Sequence, residues 1–92
     1  MNKADLAEEW GKRADAPSKA AAKRGVEAFI EVIRGTVATG EEIRIGGLGV
    51  FERVYRKGRV ARDPNTGDEI NVPGKWVMRF RPAKEAKDAV NK

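Results

Sequence analysis

Residues 53–73, RVYRKGRVARDPNTGDEINVP, constrain this chain more than any other stretch. They read as two extended segments around one turn. Arg53, Arg56, Lys57, Arg59 and Arg62 crowd the outgoing segment. Pro64-Asn65-Thr66-Gly67 supplies the turn chemistry, Pro presetting φ and Gly accepting a positive φ. Glu69-Ile70-Asn71-Val72 then alternates polar and apolar, as a returning strand does. The outgoing segment carries charge on both faces, so neither face can be packed against a domain interior. A long basic ribbon of this kind needs a partner to lie on, and polyanionic nucleic acid fits its charge. Charged residues also guard hairpin edges against aggregation. Five cations between residues 53 and 62 exceed what that role requires.

With about 20 residues in the ribbon, roughly 70 remain to form a core, near the lower limit for a self-sufficient domain. The 92-residue chain has no cysteine, so neither a disulfide nor a thiolate metal site reinforces that core. A second copy of the chain is the simplest reinforcement. Net charge is +5, unevenly spread: residues 1–42 hold 7 basic and 8 acidic side chains, residues 43–92 hold 12 and 6. The first half is balanced like an ordinary solvated surface, and the excess positive charge lies on the ribbon and the C-terminal third. No apolar run approaches the ~20 residues of a membrane span. Asp5, Glu8 and Glu9 argue against a signal peptide. The expectation is a cytoplasmic protein without a membrane partner.

Along the chain, residues 3–14 read as a helix with Leu6 and Trp10 on one face, joined by Ala7 and Ala14. Ala16-Pro17-Ser18 breaks it, and Ser18 suits the N-cap of a second helix from Lys19 to about Ala38. There Ala22, Val26, Phe29, Ile30, Ile33 and Val37 form one stripe, widened by Ala21, Gly25, Ala28 and Val32. A stripe that broad suits contact with the short helix, a sheet and a partner helix together. Gly40 ends the helix. Ile43-Arg44-Ile45 is a first strand, Gly46-Gly47-Leu48-Gly49 a tight connection, and Val50-Phe51 opens a second strand that runs into the ribbon. Trp76-Val77-Met78-Arg79-Phe80 is a third strand whose apolar content implies one buried face. Pro82 fits the first turn of a short final helix over about 83–90.

Catalytic chemistry is hard to build from this inventory. There is no His or Cys, and Ser18, the only serine, sits at a helix start with no base in reach. Glu8-Glu9, Glu41-Glu42 and Asp68-Glu69 read as solvated pairs. The glycines at 46, 47 and 49 lack phosphate-loop spacing and no helix follows them. Asp63-x-Asn65-x-Gly67-Asp68 faintly echoes a calcium loop, but the Gly is one place early and the distant Glu is missing. No enzyme, metal or cofactor is expected.

Three segments carry a resemblance to a known family: Gly47-Leu48-Gly49-Val50-Phe51-Glu52; Arg62-Asp63-Pro64-Asn65-Thr66-Gly67-Asp68-Glu69-Ile70; and Phe80-Arg81-Pro82-Ala83-Lys84-Glu85-Ala86-Lys87-Asp88-Ala89-Val90. With the opening Met1-Asn2-Lys3-Ala4-Asp5-Leu6, they resemble the bacterial HU / integration host factor family over essentially the whole chain. The resemblance implies an α+β intertwined dimer: an N-terminal helix pair, a three-stranded antiparallel sheet with a long β-ribbon arm, and a short C-terminal helix. It implies one domain over residues 1–92, with a dimerisation part at about 1–42, a saddle and arm at about 43–82, and a final helix at about 83–92. It implies an architectural, nucleoid-associated protein that binds the minor groove and bends or compacts DNA with low sequence specificity.

In that reading Pro64 inserts between base pairs, where a rigid apolar ring without an N–H loses no hydrogen bond. From the residues alone, Pro64 reads better as an ordinary turn proline than as a wedge. Arg53, Arg56, Lys57, Arg59, Arg62 and Asn65 serve the arm, while Lys75, Arg79, Arg81, Lys84 and Lys87 extend the positive surface. Kinked, nicked or junction duplexes are favoured, bound by a homodimer or a heterodimer. Two positions depart from the family: Leu48 where Phe is expected, and acidic Asp63 before the proline, either paired with Arg62 or capping the turn. Trp76 suits a core or interface better than a DNA stack. The alternatives are a site-specific subunit like integration host factor, a basic RNA-binding protein, and a purely structural oligomerisation module. Tyr55 is the only aromatic in the ribbon, which weighs against single-stranded RNA.

Overall fold

The computed structural model describes all residues from Met1 to Lys92. Helix α1 (Lys3–Arg13) starts where Asn2 accepts from the Asp5 N–H at 3.0 Å while the Asp5 carboxylate accepts from the Asn2 N–H at 3.2 Å. This reciprocal cap satisfies two otherwise orphaned donors, and Lys12 and Arg13 complement the dipole at the other end. Ser18 caps α2 (Lys19–Ala38) as expected, its Oγ accepting from the Ala21 N–H at 3.1 Å. Gly40, at φ +99°, ends α2 by donating its N–H to the Val37 carbonyl.

Gly25 has a specific packing role. A Cβ there would stand 2.7 Å from the Trp10 ring, so the glycine lets the indole of α1 lie directly on α2. A Lys3–Glu27 ion pair at 3.6 Å joins the same two helices.

The strands are β1 (Ile43–Ile45), β2 (Gly49–Arg56), β3 (Arg59–Arg62), β4 (Glu69–Val72) and β5 (Lys75–Pro82), followed by α3 (Lys84–Val90). An antiparallel sheet runs β1-β2-β5, and β3-β4 forms a separate two-stranded ribbon. Arg53 to Arg56 therefore belong to the sheet, not to the ribbon. Pro82 is the last residue of β5, paired with Gly49, and Ala83 is the N-cap of α3. The expected place of Pro82 in the helix's first turn is corrected on that point. A residue without an N–H is tolerated at the end of a strand on the sheet edge.

The chain falls into two compact units, residues 1–36 and 37–92. Its own core is small. Only Ala7, Ala22, Val26 and Val37 are buried among the apolar side chains. Phe29 is 54% exposed, Trp76 55%, Met78 53% and Phe80 41%. The sequence led us to expect a buried face on β5, and in the single chain that face is open. The buried side chains are small, while Phe29 and Val32 of α2 and Trp76, Met78 and Phe80 of β5 remain exposed.

Candidate nucleic-acid interface

Register sorts the candidate cations by face. In an antiparallel pair, residues directly opposite point to the same side and successive residues alternate. Phe51 pairs with Phe80, Arg53 with Met78, and Tyr55 with Trp76, which makes one face of β2–β5 largely aromatic. The Phe51 and Phe80 rings lie 4.7 Å apart, and Tyr55 meets Trp76 edge-on at 5.3 Å. Val50 pairs with Arg81, Glu52 with Arg79, Val54 with Val77, and Arg56 with Lys75, which puts Arg56, Lys75, Arg79 and Arg81 together on the opposite face.

Arg53 is therefore set apart from the other cations of the sheet. Its guanidinium lies 4.0 Å over the Trp76 ring and donates to the Ala38 carbonyl at 3.2 Å. A charge on each face of the segment would be expected to forbid packing. The Arg53 charge instead sits on an aromatic face by stacking and bonding to a helix-end carbonyl.

On the polar face Glu52 holds two guanidiniums. Arg79 donates to Oε1 through Nε at 2.9 Å and through Nη2, and Arg81 donates to Oε2 at 3.0 Å. The Glu52 side chain is only 13% exposed beneath them. The Arg79 hydrogen bond holds its carboxyl below the usual range; burial opposes this in part, and the Arg81 hydrogen bond reinforces it. The sequence analysis missed Glu52, because only the pairing register brings it opposite Arg79. Two arginines and one carboxylate leave a net single positive charge, presented as a fixed guanidinium pair.

Arg56 and Lys75 behave differently. They face each other across the ladder without an acidic partner. Like charges directly opposite are destabilising in a sheet. Lys57 and Arg59, which follow, are also exposed and outside any ion pair. Lys84 and Lys87 lie exposed on α3, next in sequence to the Arg81 end of β5.

The ribbon leaves the sheet through a short break in the ladder. Arg56 pairs with Lys75 and Arg59 with Val72, so Lys57-Gly58 and Pro73-Gly74 lie between the two sheets with no slip in register. Gly74 leaves room there for the Tyr55 hydroxyl, which a Cβ at this position would meet, along with the Arg56 carbonyl. Beyond the break, β3 and β4 carry Arg59 and Arg62, both exposed.

The tip is closed by backbone bonds from Asp63 N–H to the Asp68 carbonyl and from Gly67 N–H to the Asp63 carbonyl, both 2.8 Å. Gly67 takes φ +76°, as the turn chemistry predicts. The Asp63 Oδ1 accepts from the Asn65 N–H at 2.8 Å, and Arg62 donates to the Gly67 carbonyl at 3.2 Å. Of the two roles open to Asp63, the structure gives turn capping and not pairing with Arg62. Pro64 and Asn65 stand exposed at the apex of this hydrogen-bonded loop.

The family model for bacterial DNA-binding proteins matches residues 1–91. The chain belongs to the bacterial DNA-binding protein family, the HU / integration host factor group. It is 40% identical over 92 residues to the integration host factor subunit beta of Yersinia pestis and to that of Yersinia pseudotuberculosis, covering 99% of this chain and 97% of each relative. Among solved structures it is similar to Anabaena HU in a cocrystal with DNA, with a TM-score of 0.89 and 30% identity over 98% of this chain and 97% of that one. An HU variant from Thermotoga maritima matches with a TM-score of 0.70 and 31% identity, covering 98% and 99%. HU / integration host factor proteins are non-enzymatic, DNA-binding and dimeric. No helix here is long and apolar enough to cross a membrane.

Proposed function

We propose that this HU / integration host factor chain forms a dimer that lays its two β3–β4 arms in the minor groove of duplex DNA and kinks it with the Pro64 of each chain. Residues 1–92 act as one DNA-binding domain, with residues 1–42 serving dimerisation, 43–82 the saddle and arm, and 83–92 the closing helix. The protein works in the cytoplasm, on the nucleoid. The carrying observation is the row of exposed, unpaired cations from Arg56 to Arg59, including the like-charge pair Arg56–Lys75 at the arm's base. Phosphate oxygens supply the missing counter-charge. Arg62, Asn65, Lys84 and Lys87 extend the contact, and Arg79 and Arg81 offer a fixed fork suited to phosphate. Minor-groove readout is degenerate, so selection is mostly for deformable duplexes, with nicked, kinked and junction DNA bound best.

Equilibrium binding across a salt series tests this. If each chain neutralises three phosphates, log K falls against log salt with a slope of about −5, and Arg56→Ala makes it shallower by about 1 per lost contact per chain. A slope of zero removes the arm from the mechanism.

Asp63→Asn provides an independent test at the tip. Asn keeps an oxygen able to cap the Asn65 N–H and removes a negative charge beside the wedge, so the loop stays closed and DNA binding tightens several-fold. Unchanged affinity in a competition assay would place Asp63 away from phosphate.

The 40% identity to proteins named integration host factor subunit beta favours one further reading, a site-specific subunit of a heterodimer. Sedimentation of the pure chain and competition between random and defined duplexes separate it from a homodimer of low specificity.

A further inference from the structure

We infer that Arg53 is a positioning residue that fixes the attitude of the arm, and not a phosphate ligand. The inference rests on the reading of β3–β4 as a DNA-binding arm. Arg53 is half-buried on the aromatic face of β2–β5, whereas Arg56, Lys75, Arg79 and Arg81 occupy the opposite face. Its guanidinium makes two contacts within the chain. Its Cζ lies over the Trp76 ring, 4.0 Å from the centroid, and Nη1 donates to the Ala38 carbonyl in the last turn of α2. That carbonyl is one of the helix-end acceptors left without an intrahelical donor, and a cation there complements the helix dipole. Gly40 makes room for this contact, since a Cβ would stand 2.9 Å from Arg53 Nη2.

The stack continues outward. Trp76 meets Tyr55 edge-on at 5.3 Å, and the Tyr55 hydroxyl fills the space over Gly74. Gly74 lies in the break between the sheet and the ribbon. A continuous column, Ala38–Arg53–Trp76–Tyr55–Gly74, therefore runs from the end of α2 to the point where the arm leaves the sheet. Holding that point rigid lowers the ordering cost of seating the arm on DNA. A phosphate that drew the guanidinium away from its place would break the bond to the Ala38 carbonyl and the contact with the indole.

The experiment compares Arg53→Lys, Arg53→Met and Trp76→Leu with wild type in two assays, the salt slope of duplex binding and the circularisation of short DNA at saturating protein. Lys keeps the charge but cannot stack as a plane and bond the carbonyl at once. The expected result is a wild-type salt slope in all three variants and a several-fold loss of circularisation in all three. Two results overturn the inference. One is a shallower slope for Arg53→Met, by about 1 per chain, with Arg53→Lys restoring wild-type behaviour, which makes Arg53 a phosphate ligand. The other is unchanged slope and circularisation with only a lowered Tm, which makes the stack merely structural. Trp76→Leu carries the test without touching Arg53, so it decides the matter if an Arg53 variant fails to fold. Failure of the DNA-binding reading itself would show elsewhere, as a zero slope for the wild type.

Discussion

If a partner chain covers the Phe29 ring, as the proposed dimer requires, Phe29→Ala is expected to cost ~3–5 kcal/mol of stability and to dissociate the protein at micromolar concentration. In the single chain Phe29 is more than half exposed, as is Val32 beside it on α2, and no large apolar side chain is fully buried anywhere. A chain that left these surfaces in water would forfeit ~1.5–3 kcal/mol for each large apolar side chain not buried. An isolated monomer would lose little on truncation of a ring that already faces solvent. The size of the effect therefore reports whether a partner covers it. Sedimentation should give twice the chain mass for the wild type, and its Tm should rise with protein concentration, as linkage to dimerisation requires. A folded wild-type monomer with a concentration-independent Tm would defeat the expectation.

Pro64→Ala is expected to abolish most DNA bending while leaving the salt slope near that of the wild type. Unstacking a base step costs a few kcal/mol, and the bent duplex offsets this through added contacts to the arms and the sheet. The tip is held by the bonds joining Asp63 to Gly67 and Asp68 and by the Asp63 cap on Asn65, none of which needs the Pro64 ring. The substitution thus removes the wedge and keeps the loop. Circularisation of fragments shorter than the ~150 bp persistence length should fall sharply. The affinity loss should be greater on intact than on nicked duplex, where stacking is already broken. Circularisation equal to wild type would leave Pro64 as a turn residue only.

The elements follow closely from local signals. Ser18 and Gly40 bound α2, the isoleucines of β1 alternate, and Gly67 marks the turn by its positive φ, because each of these is decided within a few residues. The faces are another matter. Alternation within β2 alone places Arg53 with Phe51, but whether Trp76 or Arg79 joins that face depends on register across β2 and β5, residues some 25 apart in sequence. The same holds for Glu52, whose clamp on Arg79 and Arg81 has no local sequence signal. Asp63 lay between, since its side chain could cap the turn or pair with Arg62 and only the backbone path of the tip decides. The Asn2–Asp5 cap was readable from the sequence and was missed, its N–x–x–D spacing overlooked in favour of the apolar positions behind it. The apolar content of β5 points to a buried face, but in the single chain Trp76, Met78 and Phe80 are exposed, because the chain's own small core does not cover them.

The arms are expected to bend DNA and not merely to hold it. A short duplex with a fluorophore at each end, titrated with the wild-type protein, measures this directly by energy transfer. Transfer is expected to rise as binding saturates, and the Pro64→Ala protein is expected to saturate the same duplex with little rise. Saturation by the wild type with the ends no closer than in free DNA would contradict it.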